Sequence, residues 1–443
     1  MGDSELDLVF PSVGSKEVVG RFDGGDITSD GGFLLLGEAD RKAGLTESMT
    51  EAISDKRQQS DVDHTVWDVL RERVYGIAAG YPDANDMNTM RKDPALKTVC
   101  GRLPGSGMDL ASQPTISRIE NAGSRRDLMR VGMAIARSVI SGLPADTKEV
   151  IIDVDPSDDP CHGQQEFEFF NAYYGEHCYV PMFFHITGSD GRQRLVSAVL
   201  RPGNASPTKG LFGVLRRVVK LLRARFPEVR IILRGDSAFG IGEVIEFCED
   251  MGLDFVLGLR GNIRLHTLST PVQMDAALKY KWEGDGCLEY GEFEYKASPW
   301  KRHHRVIVKA EITRGELNPR FVVTSLAKET PQEVYGFYCG RGDQENRIKE
   351  MKLDLSSGRT SCHKFLANQF RLLLHTAACV LMGVLQRALE DTKWAQAQVG
   401  TIRLRLLKVG ARVVETCRKV WVRLPSAFPE KEAWSHLHGV LSG

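Results

Sequence analysis

Acids close two apolar runs in this chain. Asp153 and Asp155 end KEVIIDVD, and Asp236 ends VRIILRGD, while Glu345 falls in YCGRGDQENRIKEMK at 338–352. Side chains alternate along a strand, so Asp153 and Asp155 share one side with Ile151, and Ile152 and Val154 take the other. Two carboxylates on one face of a buried strand are costly unless paired or metal-bound. Hard oxygen donors of this kind suit Mg²⁺, with Mn²⁺ able to substitute, and no His/Cys cluster competes with them. A turn-forming Asp after a strand is the plain alternative for each residue alone. The joint pattern is sharper: an acid ending the first strand, an acid ending the fourth, and an acid on a helix after the sheet. Ligand sites in α/β sheets lie beyond the carboxyl ends of the strands.

The third acid has company. Tyr338, Arg341, Glu345 and Lys352 stand at offsets 0, 3, 7 and 14. On a helical wheel they fall near roughly 0°, 300°, 340° and 320°, one arc of about 60°. Phe337, Ile348, Met351 and Leu355 occupy the neighbouring arc. One stripe can therefore dock on a core while the next presents an acid among two bases. A solvated polar face with pairs such as Glu345–Lys349 is the alternative.

These residues need a frame. Residues 1–145 read as mostly helical. KEVIIDVD, CYVPMFFHIT (178–187) and RLVSAVL (194–200) then read as three strands. A helix opening near Pro207, the strand VRIILRGDS, a helix closed by Gly252 and the strand DFVLGLRG follow. The order β-β-β-α-β-α-β implies an α/β layered sheet. Residues 262–326 alternate with period two and read as a β-rich insertion before the helix of Glu345. The apolar helix near 365–386 carries Asn368, Arg371 and His375, which suits a buried core and not a membrane span. A capped helix at SQPTISRIE (112–120) offers Gln113, Thr115, Ser117 and Arg118 as DNA contacts, with a structural helix as the alternative.

Composition is that of an ordinary globular protein, 42% hydrophobic and 26% charged over 443 residues. The start lacks a signal-peptide pattern. Nine scattered cysteines without a CxxC pair point to a reducing cytoplasm. The zero net charge hides an asymmetry: residues 1–100 hold 11 Lys/Arg against 19 Asp/Glu, whereas 301–443 hold 24 against 13. A basic final third can face phosphates.

Taken together the residues resemble the DDE transposases of bacterial insertion sequences. The acids come in the order Asp, Asp, Glu, separated by 81 and 109 residues, with the insertion in the second gap. The Y-x2-R-x3-E-x6-K spacing of Tyr338, Arg341, Glu345 and Lys352 resembles the YREK-signature, IS-four-like branch. DVDPSDDPCHGQQE, YVPMFFHITG, VRIILRGDSAFG and RLPSAFP resemble the insertion-sequence family numbered thirteen-eighty. The resemblance implies a ribonuclease-H-like catalytic domain at 146–261 and 327–390, interrupted by the β-rich insertion 262–326. A helical, DNA-end-binding region would fill 1–145, and a basic, helical C-terminal region 391–443. It implies Asp155, Asp236 and Glu345 as catalytic acids and Mg²⁺ ligands, and Tyr338, Arg341 and Lys352 as DNA contacts. It further implies double-stranded DNA as partner, at terminal inverted repeats and target, with a homo-oligomer acting on it in the cytoplasm. Asp155-Pro156-Ser157 aligns best with the first acid, and Asp153 stays open; His162 could touch DNA or simply pack. A nuclease without strand transfer, or a DNA-binding relative without activity, would keep much of the same pattern.

Overall fold

The computed structural model describes residues 7–284 and 286–443. Contacts divide the chain into two compact units. One comprises Glu47–Ser54 and Glu120–Val380; the other comprises Asp55–Ile119, Leu381–Gly443 and the described residues up to Thr46.

The 120–380 unit is built on an eight-stranded sheet. Its strands are β1 (Glu149–Pro156), β2 (Met182–Thr187), β3 (Gln193–Val199), β4 (Arg230–Gly235), β5 (Asp254–Leu259), β6 (Cys287–Tyr295), β7 (His304–Thr313) and β8 (Glu316–Thr324). Their order across the sheet is β6-β7-β8-β5-β4-β1-β2-β3. β4 lies parallel to β1 and β5; every other neighbour is antiparallel. Val150, Ile152 and Val154 of β1 are buried, as the centre of a covered sheet requires.

Helix α1 (Arg125–Ser141) starts with a reciprocal Ser124–Asp127 capping box and packs on β3. α2 (Leu211–Arg225) joins β3 to β4, and α3 (Gly242–Met251) joins β4 to β5. α4 (Ile263–Leu268) and α5 (Thr270–Glu283) follow. α6 (Pro331–Cys339) opens with a Thr330–Glu333 capping box and sets Val334 and Tyr335 on Ile232, Val256, Ile307 and Val322. α7 (Gly342–Leu353) buries Gln344, Ile348 and Met351. α8 (Phe365–Ala388) is long and apolar enough to cross a membrane, but its most apolar stretch is 72% buried within the protein. His375 on α8 bonds the Leu355 carbonyl at 2.8 Å.

Several segments depart from the expectation. The single strand expected over 178–187 is two, broken at Val180–Pro181; Glu176–Tyr179 joins a separate three-stranded ribbon with Asp159–Pro160 and Phe169–Asn171. Proline has no N–H to continue a ladder. The segment 262–326 begins with the helices α4 and α5, and its strands extend the main sheet through β8. The helix expected to run through Tyr338 and Glu345 is interrupted at Gly340–Arg341, so Tyr338 lies in the last turn of α6 and Glu345 in the first turn of α7.

The other unit is mostly helical before residue 120. Helices Phe33–Ala43, Val66–Ala79 and Pro94–Val99 bury Leu36, Val74, Ile77 and Leu96. An exposed hairpin, Leu8–Val13 with Lys16–Gly20, precedes them. The C-terminal part is not purely helical: Ala411–Glu415 pairs with Val420–Arg423 and with Ile27–Thr28 before the last helix, Lys431–Ser442. All nine cysteines are free thiols.

Candidate active site

Each acid is placed by its element. Asp155 lies near the carboxyl end of β1, opposite Phe183 of β2, and Asp236 follows directly on β4. β1 and β4 are parallel neighbours, so both acids emerge at the same edge of the sheet. The Ala238 N–H donates to Asp236 Oδ1 at 2.9 Å, an Asx turn that holds the carboxylate at the strand end. Gly258 on β5 lets this turn close, since a Cβ there would meet the Tyr338 hydroxyl at 2.6 Å and the Ser237 nitrogen at 2.7 Å.

Arg341 joins the sheet to the helix. Its Nη1 donates to Asp155 Oδ2 at 3.3 Å and its Nη2 to Glu345 Oε1 at 3.1 Å, across 186 residues of chain in the first case. Its guanidinium lies 5.9 Å from the centre of the Tyr338 ring. Burial pushes the Asp155 carboxyl up to about 7; Arg341 opposes this, and the charges of Asp236 and Glu345 add to it. Tyr338 is pushed up by burial. Lys352 Nζ donates to Asp158 Oδ1 at 2.9 Å. Burial would raise the Asp158 carboxyl, but the Lys352 bond and charge outweigh it and hold it below the usual range.

Among the described residues, no three His, Cys, Asp or Glu side chains already converge on one ion position. The donor chemistry fits a hard divalent cation all the same. Asp155 lies in the fields of Asp236 and Glu345, and positive charge there is supplied by Arg341.

A model of the family described as transposase DDE domain group 1 matches residues 10–442. The chain belongs to that family. No curated protein matches the chain significantly. Family membership makes this a transposase-type protein, of a class that cuts DNA with a divalent metal.

The remaining residues singled out in this transposase sequence fall in different places. Asp153 is fully buried and both its oxygens are taken: Arg234 donates from Nε at 2.6 Å and from Nη2 at 2.9 Å, and Gln193 Nε2 at 2.9 Å. His162 is exposed. Arg118 is exposed on the helix Gln113–Ala122 and belongs to the other compact unit. On that helix Gln113 donates to Ser117 at 2.9 Å, and Ser112 bonds Thr115 at 3.3 Å.

Four residues around the acids escaped the sequence reading: Arg234, Gln344, Asp158 and Asp159. Arg234 had a legible signal, a cation inside the apolar run VRIIL-R-GD. Gln344 Nε2 reaches the Asp153 carbonyl at 3.3 Å, the Phe183 carbonyl at 3.3 Å and His185 Nδ1 at 3.0 Å, anchoring α7 on β1 and β2. Burial pushes the Asp159 carboxyl up to about 7, against a 2.8 Å bond from the Thr360 hydroxyl.

Proposed function

We propose that this protein is a DNA transposase of the YREK-signature branch, within the insertion-sequence family numbered thirteen-eighty. It would cleave at the terminal inverted repeats of its element and join the 3′ ends to target DNA. The observation that carries the reading is Arg341 spanning Asp155 and Glu345 beside Asp236. Four residues drawn from three distant stretches, with an acid from each, have no simple structural reason to meet at one sheet edge. The order β3-β2-β1-β4-β5, with three antiparallel strands followed by two parallel ones, supports a ribonuclease-H-like core, as does the helix of Glu345 after the sheet.

In this reading Asp155, Asp236 and Glu345 hold Mg²⁺, or Mn²⁺ in its place. When bound, a metal pair supplies activation of the attacking oxygen, first of water and then of a DNA 3′ hydroxyl, and stabilises the leaving oxygen. Asp155 must be ionised to bind, so its elevated carboxyl makes loading favour neutral or higher pH. Arg341 then exchanges its carboxylate partners for phosphate oxygens, which its planar fork can grip in pairs. Lys352 would leave Asp158 for a phosphate as a point charge. Tyr338 braces Arg341 from the end of α6. Arg118 and its helix are assigned to end binding, and the chain would act as a homo-oligomer on double-stranded DNA in the cytoplasm.

An excision assay tests this. The coding region with its native flanks is placed in a donor plasmid, protein is supplied in trans, and repaired junctions are sequenced. Precise excision by the native protein and none by Asp236→Asn is expected. No excision by a folded protein that still binds its flanks would favour a DNA-binding relative without activity. Cleavage without joining in a purified reaction would favour a nuclease.

A further inference from the structure

We infer that Arg234 is a positioning residue that locks the three acid-bearing segments into one register. It rests on the reading above, that those acids form one metal site. The three ties are all on one side chain. Arg234 precedes Asp236 by two residues on β4. It stands opposite Asp153 in the parallel ladder and forks both carboxylate oxygens, two residues before Asp155 on β1. Its remaining arm, Nη1, donates to the Phe337 carbonyl at 2.5 Å, in the last turn of α6, just before Arg341 and Glu345. Its guanidinium also lies 4.9 Å from the centre of the Phe337 ring.

The surroundings are shaped to this side chain. A Cβ at Gly340 would meet Arg234 Nη1 at 2.6 Å, so glycine at the α6–α7 break makes room for the arm. Gln193 completes the shell of Asp153, and Gln344, one residue before Glu345, bonds the Asp153 carbonyl. The Arg234 and Asp153 side chains are 7% and 0% exposed, so no substrate phosphate can compete for the fork. Stability alone does not call for such a pair, because buried ion pairs can be exchanged for apolar side chains of similar volume without loss. What an apolar pair cannot do is hold a carboxylate, a neighbouring strand and a helix-end carbonyl at fixed distances. Metal ligands depend on such outer partners for their orientation.

The test measures Mn²⁺ binding without DNA, by electron paramagnetic resonance, alongside the Mn²⁺ concentration giving half-maximal cleavage of an inverted-repeat duplex. The proteins are native, Asp236→Asn, Arg234→Lys and the paired Asp153→Leu/Arg234→Met. Lysine keeps the charge but loses the fork, and the paired change keeps an uncharged, filled core if the lysine variant does not fold. Native protein is expected to bind Mn²⁺ and Asp236→Asn to lose that binding. The Arg234 variants, melting close to native, are expected to bind Mn²⁺ about 10- to 100-fold more weakly. They should also need correspondingly more Mn²⁺ to cut, with activity recovering at excess metal. A folded Arg234 variant that binds Mn²⁺ as tightly as native and cuts at the same concentration would overturn the inference while leaving the site intact. Equal Mn²⁺ binding by native and Asp236→Asn would remove the reading of the site, and the inference with it.

Discussion

Two arginine–carboxylate groups stand on neighbouring segments of this protein, and they differ in geometry and in exposure. Asp153 and Arg234 are buried, face each other across a parallel ladder, and form two parallel bonds at 2.6 and 2.9 Å. Asp155, two residues on, shares Arg341 with Glu345 at 3.3 and 3.1 Å, and half of the Glu345 side chain is open to solvent. The first pair is saturated and dry, and exchanging its partners would strand a buried charge. The second has longer bonds, is shared between two acids and opens to solvent on the Glu345 side, although Asp155 itself is largely buried. Alternation along one strand cannot tell the two aspartates apart. What separates them is whether the neighbouring strand meets the carboxylate with a cation.

The largest expected effect breaks the dry pair. Asp153→Ala leaves Arg234 buried and unpaired and should cost about 3–5 kcal/mol of stability, read by chemical denaturation. A cost under about 1 kcal/mol would mean the fork is not the buried pair described.

A pH experiment sharpens the contrast between an ion-paired acid and an acid bonded by a hydroxyl, both shortly after β1. Asp158 is held low by Lys352, whereas burial pushes Asp159 from 3.8 up to about 7. A folded carboxyl raised above its unfolded value contributes stability that is complete below the unfolded value and is lost as pH rises through the folded one. The native protein should therefore lose stability relative to Asp159→Asn between about pH 4 and pH 7, on the order of 3 kcal/mol over the window. Denaturation curves at several pH values check this, and parallel curves for the two proteins would contradict it.

At the wet group the effect should fall on chemistry. Asp155→Asn should keep the fold and lose at least about 100-fold in cleavage of an inverted-repeat duplex, equivalent to about 2.7 kcal/mol. Cleavage within a few-fold of native would return the role to another acid.

The smallest expected effect is on metal-free stability when Arg341 is replaced. Arg341→Gln breaks a largely buried pair with Asp155 and a half-exposed pair with Glu345, and should cost about 1–3 kcal/mol, less than Asp153→Ala because Asp155 can take up a proton when its cation is lost. It should nonetheless weaken end binding and cleavage, because the same side chain is assigned to phosphate. A variant that binds and cuts as native does would take Arg341 out of the site.

Much of this was legible because it is local. Asp155 and Asp236 terminate apolar runs, and a strand that ends on an acid displays it at the sheet edge whatever the neighbours do. The spacing of Tyr338, Arg341 and Glu345 survives the break at Gly340–Arg341, because both residues keep right-handed helical angles. The rest depends on pairing between distant segments. The match of Arg234 to Asp153 follows only from the register of β1 on β4. That β6–β8 would extend the main sheet depends on β8 pairing with β5, which period-two alternation does not encode. α5 escaped for another reason: only Ala276 is buried on it, while Met274, Leu278 and Trp282 are exposed, so its apolar residues do not trace one face. Asp153 and Asp155 stand equal in the sequence because the cation that pairs with Asp153 lies 81 residues away on β4.

Metal-directed cleavage of the polypeptide reads out whether Asp155, Asp236 and Glu345 converge on one divalent metal. Fe²⁺ replaces Mg²⁺ in the purified protein, ascorbate and peroxide generate radicals at the bound ion, and the fragments are mapped by mass spectrometry. If they share one metal, cuts are expected near residues 155, 236 and 345 together, suppressed by excess Mg²⁺ and absent in Asp236→Asn. Cuts confined to other segments, or unchanged in that variant, would contradict a shared metal.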